Sequence, residues 1–138
     1  MSEYNNGYVT VNDKCIGCGV CVAYCPTRAW TRSKEHYFRV VLLGRTGKKN
    51  PRLAEDFVKW ADEESIFKMV KNAYAYVEEY IDRKALEGKE HIGYIVDRTG
   101  FDEFFKWIMK DVELNDKAEV AHRLYWGGKC YDRSNNLM

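Results

Sequence analysis

The chain has 138 residues, of which 46% are hydrophobic and 31% charged, a balance typical of globular proteins. Its formal net charge of +1 argues against a nucleic-acid or membrane partner attracted by a global electrostatic field. No run of about 18 apolar residues predicts a membrane span. Residues 1–14 are polar and carry no export signal, so we expect a cytoplasmic protein.

A predicted strand at residues 8–11 leads directly into a cluster of cysteines. Four of the five cysteines lie between positions 15 and 25. Disulfide frameworks spread their cysteines along a chain to close loops, whereas short and regular spacing indicates a metal. The clustered cysteines are Cys15, Cys18, Cys21 and Cys25.

Their spacing, C-x2-C-x2-C-x3-C-P, is the cluster-binding run of bacterial-type ferredoxins. Zinc sites pair two C-x2-C knuckles that are a dozen or more residues apart, and they fit this run poorly. Gly17 and Gly19 permit a tight loop whose amide N–H groups face the cluster sulfurs. The run therefore predicts a [4Fe-4S] cluster.

The fourth ligand of this cluster stays open on the sequence alone. Cys15, Cys18 and Cys21 share one cluster, and we favour Cys25 as the ligand that completes it. In two-cluster ferredoxins, however, the fourth cysteine of a run binds the other cluster, and this chain has a single run. Cys130, a partner subunit or a three-iron cluster are the alternatives.

After the cysteines, residues 29–32 and 37–43 predict a β-hairpin. The basic segment 44–52 follows as a linker, and residues 53–61 predict a short helix. Asp62 is the predicted N-cap of a long helix that ends near Gly88. Its apolar stripe consists of Ile66, Val70, Ala73, Val77 and Ile81.

Two more helices are predicted, over residues 91–98 and from Thr99 to about residue 112. Thr99 and Asp102 have capping-box spacing. An apolar stripe follows them and is either core or a docking face; it consists of Phe101, Phe104, Phe105, Ile108, Met109 and Val112. The tail from Gly127 is rich in Gly, Asn and charged residues, which predicts a position on the surface. The fold class is thus α+β, with a half-ferredoxin-like module at 1–43 and a helical region at 44–138.

The linker is a candidate anion site, since basic side chains surround glycines whose amides could form a nest. These candidate cofactor-binding residues are Arg45, Lys48 and Arg52. The alternative is a solvated basic turn.

Between residues 9 and 112, the order of motifs resembles the C-terminal part of siroheme-containing sulfite reductases of the anaerobic and dissimilatory type. The cysteine run is followed by Gly44-Arg-Thr-Gly-Lys-Lys-Asn-Pro-Arg52, an acidic helix start and terminal helices, as in that family. The resemblance implies that the basic loop faces a tetrapyrrole carboxylate or a catalytic subunit. The further cysteines that hold siroheme in those reductases have no counterpart here, so the resemblance does not extend to the catalytic centre.

We therefore expect an electron-transfer iron–sulfur subunit of a multisubunit oxidoreductase, without catalysis of its own. It would pass single electrons to a catalytic partner subunit, and the resemblance implies siroheme as the cofactor of such a partner. The alternatives are a split subunit of a siroheme sulfite reductase-like enzyme, and a structural or redox-sensing cluster on a partner-binding domain.

Overall fold

The computed structural model describes residues 15–32, 34–44, 51, 53–85, 90–126 and 129–132. It separates into two compact units, residues 1–36 and 37–138. The predicted strand at 8–11 lies outside the described residues. Over the described ranges no helix combines the length and apolar character needed to cross a membrane. Helices together with antiparallel strands confirm the predicted α+β class.

Within residues 15–32 and 34–36, the first unit contains one short helix, α1, at Val20–Ala23. The strand predicted at residues 29–32 is wrong, because these residues are in irregular structure and belong to neither of the described sheets. The backbone amides of Ala29 and Trp30 instead donate to the sulfur of Cys25. An amide that bonds to a thiol is not available to a sheet, so the segment folds back onto the cysteine loop.

The second unit is built on antiparallel strands. A three-stranded sheet has the order β1-β2-β3, and β4 and β5 form a separate hairpin. The strands are β1 Phe38–Leu42, β2 Glu55–Ala61, β3 Glu119–Val120, β4 Arg123–Trp126 and β5 Lys129–Asp132. The strand predicted at 37–43 is confirmed as β1, but it pairs with β2 and belongs to the second unit. Strand β5 lies in the tail that follows Gly127 and is not predicted from the sequence. The domain division proposed at residues 43 and 44 stays a prediction.

The helix predicted over residues 53–61 is wrong, since these residues form β2. Phe57, Val58 and Ala61 are its buried residues, and their i, i+1, i+4 spacing imitates the apolar face of a helix. A regular strand would alternate instead. Two irregularities in the pairing with β1 explain the difference, because each adds one residue to β2. The first lies between Asp56 and Val58, and the second lies between Val58 and Ala61, where Trp60 has a left-handed backbone (φ 59°).

The helices are α2 Glu63–Tyr80, α3 Ile92–Thr99 and α4 Phe101–Ile108. The predicted cap is confirmed: the Asp62 carboxylate accepts a hydrogen bond from the Ser65 amide at 2.7 Å. Helix α2 ends at Tyr80, earlier than predicted, since Ile81 is already extended. Arg98 donates to the Tyr80 carbonyl at 2.7 Å and so satisfies one of its terminal acceptors.

The capping box predicted at Thr99 is wrong. Thr99 is the last residue of α3, and its hydroxyl donates to the Ile95 carbonyl at 3.0 Å. Gly100, with φ 93°, lies between α3 and α4. It is the N-cap residue of α4, and it has no side chain that could accept a capping hydrogen bond. This backbone conformation is one that glycine adopts without strain.

The core of the second unit lies between its sheet and the three helices. Helix α4 contributes its predicted stripe to this core, with Phe101, Phe104 and Ile108 buried. The predicted stripe of α2 is only partly correct, because Val70 and Ile81 are exposed. The face of α2 that packs on the core instead runs through Met69, Ala73, Tyr76 and Tyr80.

Candidate metal centre

The cysteine loop begins with two glycines in the left-handed region. Gly17 has φ 72° and Gly19 has φ 74°, as the sequence predicts for a tight loop. Gly19 caps α1, and its carbonyl accepts a hydrogen bond from the Ala23 amide at 3.1 Å. Cys21 lies within this helix, while Cys18 precedes it and Cys25 follows it.

The four clustered cysteines are free thiols on the surface of the first unit. Cys15, Cys18 and Cys21 are exposed and Cys25 is half-buried. Among the described residues, no three Cys, His, Asp or Glu side chains approach closely enough to hold one metal ion. In a cubic cluster each thiolate binds a different iron, so the cysteine sulfurs surround the whole cluster and lie farther apart than the ligands of a single metal ion. Four thiols on one solvent-facing loop, with glycines that open the backbone, fit that requirement.

Cys25 has the most developed surroundings of the four. Hydrogen bonds lower the pKa of its thiol, first from the Trp30 backbone amide and then from the Thr27 hydroxyl. The Thr27 Oγ1 lies 3.6 Å from the Cys25 sulfur. A lowered pKa favours the thiolate, which is the form that binds iron. The geometry therefore suits Cys25 as a ligand.

Neither of these supporting groups is among the site residues predicted from the sequence. Thr27, two residues after a candidate ligand, has a hydroxyl that could have been proposed from its position. The contribution of Trp30 comes from its backbone amide, which no side-chain pattern can reveal. Both partners depend on the way the chain turns after Pro26, where the Arg28 amide donates to the Cys25 carbonyl at 3.3 Å.

The other candidate site residues are not brought into this arrangement by anything that the structure describes. Arg45, Lys48 and Arg52 lie outside the described residues, so the anion site stays a prediction. Cys130 lies in β5 of the second unit, and only its backbone is described.

Comparison with known proteins gives the class of this chain. The family model described as "Nitrite and sulphite reductase 4Fe-4S domain" matches residues 10–116. The chain belongs to this family, and its cofactor is a [4Fe-4S] cluster. The matched range includes the four clustered cysteines and leaves out Cys130.

Individual relatives make the resemblance more specific. The chain is 38% identical, over 146 aligned positions, to a subunit of the anaerobic sulfite reductase of Salmonella typhimurium. The same identity is found with the protein of the same name from Salmonella typhi. Each match covers 83% of this chain and 43% of the relative, so the chain spans less than half of their length. The predicted resemblance to sulfite reductases is confirmed. No solved structure matches.

Proposed function

We propose that this chain is an electron-transfer subunit of a sulfite reductase-like complex. Its cluster accepts single electrons from a donor and passes them to a catalytic partner subunit. When bound, a [4Fe-4S] cluster supplies a one-electron carrier whose potential depends on the net charge and hydrogen bonds around it. The observation that carries the proposal is the solvent-facing cysteine loop in a chain of this family.

Cys15, Cys18, Cys21 and Cys25 are the proposed ligands. Their exposure supports transfer to and from partners, because an accessible cluster can approach an external donor or acceptor. The hydrogen bonds to the Cys25 sulfur support it as the fourth ligand. The family match also includes Cys25 and ends before Cys130.

The second unit supports the proposal of a partner subunit. Its helix α2 exposes apolar side chains on the outer face; these are Phe67 at 60%, Val70 at 46% and Tyr74 at 75%. Exposed apolar residues at successive turns of one helix are typical of surfaces that another protein covers. We propose that a catalytic subunit binds this chain, and the relatives' name makes a siroheme-bearing, sulfite-reducing subunit the first candidate.

Anaerobic purification of the native protein, together with whatever co-purifies, tests this function. Optical and EPR spectra are recorded before and after reduction with stoichiometric Ti(III) citrate, because the oxidation of dithionite would itself produce sulfite, and the reduced complex is then mixed rapidly with sulfite. We expect an EPR signal of a reduced [4Fe-4S] cluster that disappears on mixing, on the timescale of turnover. Buffer without sulfite, and a Cys18→Ser preparation, are the controls.

Two results would contradict the proposal. A preparation that contains zinc and has no reducible chromophore would show that the cysteines bind zinc and not an iron–sulfur cluster. A cluster that is reduced but is not reoxidised by partner and sulfite would instead indicate a structural or redox-sensing role.

A further inference from the structure

The side chain of Arg32 lies against the cysteine loop. A Cβ atom built on Gly19 would be 2.9 Å from the Arg32 Cζ, closer than a side chain normally approaches, and 3.5 Å from its Nε. The guanidinium therefore covers the backbone of Gly19, the residue between Cys18 and Cys21. The left-handed φ of 74° favours glycine at this position.

The turn after Pro26 places Arg32 at this point. Arg28 adopts a left-handed φ of 55°, and its amide donates to the Cys25 carbonyl at 3.3 Å. The Trp30 amide then donates to the Cys25 sulfur. Residues 28–30 are thus bonded back onto the end of the loop, and the chain that continues from them reaches Gly19 two residues later.

The charge of Arg32 is available to act on the loop. A guanidinium is always protonated, so the charge does not depend on pH. None of the ion pairs formed among the described residues includes Arg32. A cluster held by thiolates becomes more negative by one unit when it is reduced. A nearby cation therefore stabilises the reduced form more than the oxidised form, an effect that is screened over about 8 Å at physiological salt.

We propose that Arg32 sets the reduction potential of the cluster by holding a positive charge over Gly19. The proposal rests on the proposed function, because it takes Cys18 and Cys21 as cluster ligands. The side chain raises the potential, so that the cluster accepts an electron more readily from its donor. Its role is electrostatic, and no bond to iron is involved.

The test is a redox titration of the anaerobic holoprotein, followed by EPR. We compare wild type with Arg32→Gln, with Arg32→Lys and with the matched control Lys34→Gln. Lys34 is exposed in the same unit, and its replacement removes the same charge. At a fixed potential, Arg32→Gln should lower the ratio of reduced to oxidised cluster at least threefold; tenfold would correspond to 59 mV for one electron. Arg32→Lys and Lys34→Gln should each stay within a factor of two of wild type.

Arg32→Met is a second neutral variant, and it replaces Arg32→Gln in the redox titration if Arg32→Gln retains too little iron. An unchanged ratio in an iron-replete neutral variant would overturn the proposal. So would an equal shift in Arg32→Lys, because the effect would then come from packing and not from charge. Both results would leave the proposed function intact. A wild-type chain without a reducible cluster would instead contradict the proposed function itself.

Discussion

At the residue scale, the proposed fourth ligand of the cluster is Cys25, and the alternatives are Cys130, a partner subunit or a three-iron cluster. The Cys25 thiol receives hydrogen bonds from Trp30 and Thr27 that stabilise its thiolate. We therefore expect Cys25→Ser to lose most of the bound iron or to leave an unstable cluster. Iron and acid-labile sulfide per chain, with the EPR signal after reduction, provide the measurement.

Cys130→Ser is the matched control, because it removes the one cysteine outside the clustered run. We expect this variant to keep the full iron content and the wild-type spectrum. Loss of the cluster in Cys130→Ser, with retention in Cys25→Ser, would show that Cys130 is the fourth ligand.

Asp62 stabilises the start of α2, and its contribution depends on pH. The Ser65 amide and then the Ser65 hydroxyl lower the pKa of this carboxyl below its ordinary value of 3.8, with a further hydrogen bond from Asn115. Asp62→Ala should cost about 1 kcal/mol of unfolding free energy at neutral pH, as expected for the loss of a cap. Urea denaturation followed by circular dichroism measures the difference.

The sign of the pH effect follows from the lowered pKa. A depressed carboxyl pKa contributes stability that is present above the unfolded pKa and is lost as the pH falls through the folded pKa. The difference between wild type and Asp62→Ala should therefore shrink below about pH 4. Asp62→Asn keeps an acceptor but no charge, so its stability relative to Asp62→Ala should not vary with pH. A difference between wild type and Asp62→Ala that stays constant down to about pH 2 would contradict this account.

At the scale of elements, the sequence predicts what depends on local spacing and misses what depends on tertiary pairing. The cysteine run, β1, the Asp62 cap and α3 follow from residues close in the chain, and the structure has each of them. Strand β2 is missed because two irregularities in its pairing with β1, one of them at the left-handed Trp60, break its alternation. At the candidate site, the cysteines could be predicted, whereas the backbone amide of Trp30 could not.

The buried face of helix α2 is another feature that local sequence spacing predicts only in part. An apolar stripe of aliphatic residues is the natural prediction, but the deepest residue of the helix is Tyr76, which is fully buried. Its ring packs against Phe104 at a centroid distance of 5.2 Å, and its hydroxyl lies 2.5 Å from the Thr99 hydroxyl. A buried tyrosine needs such a partner, and hydropathy alone does not indicate whether one exists.

Tyr76 and Tyr74 form a matched pair on this helix, since one is fully buried and the other is 75% exposed. Tyr76→Ala removes a large ring from the core and should cost about 3–5 kcal/mol. Tyr74→Ala should change the unfolding free energy by less than about 0.5 kcal/mol, as is usual at the surface. Chemical denaturation of both variants measures the contrast. Similar losses in the two variants would show that the buried face of α2 is assigned wrongly.

At the scale of the whole molecule, the two units differ in what can stabilise them. The second unit has its own core, whose fully buried side chains include Phe57, Tyr76, Ile95 and Phe101. In the first unit, no side chain among the described residues is buried. Burial of apolar area is the main favourable term in folding, so the described part of the first unit lacks the usual source of stability. Metal binding can supply it, because a site that forms only in the folded state adds its binding free energy to folding.

Removal of the cluster should therefore loosen the first unit and leave the second unit folded. The full chain is compared with and without cluster by hydrogen exchange and mass spectrometry, the cluster being removed with an oxidant and an iron chelator. Peptides from residues 15–32 should lose their protection in the apoprotein. Peptides from α2 and α4 should exchange as in the holoprotein, because their protection comes from the core and not from iron.

A Cys18→Ser, Cys21→Ser double variant is the control for chemical damage and should give the same pattern. Uniform loss of protection along the chain would mean that the core of the second unit also depends on the cluster. Unchanged protection at residues 15–32 would mean that the loop is stable without it.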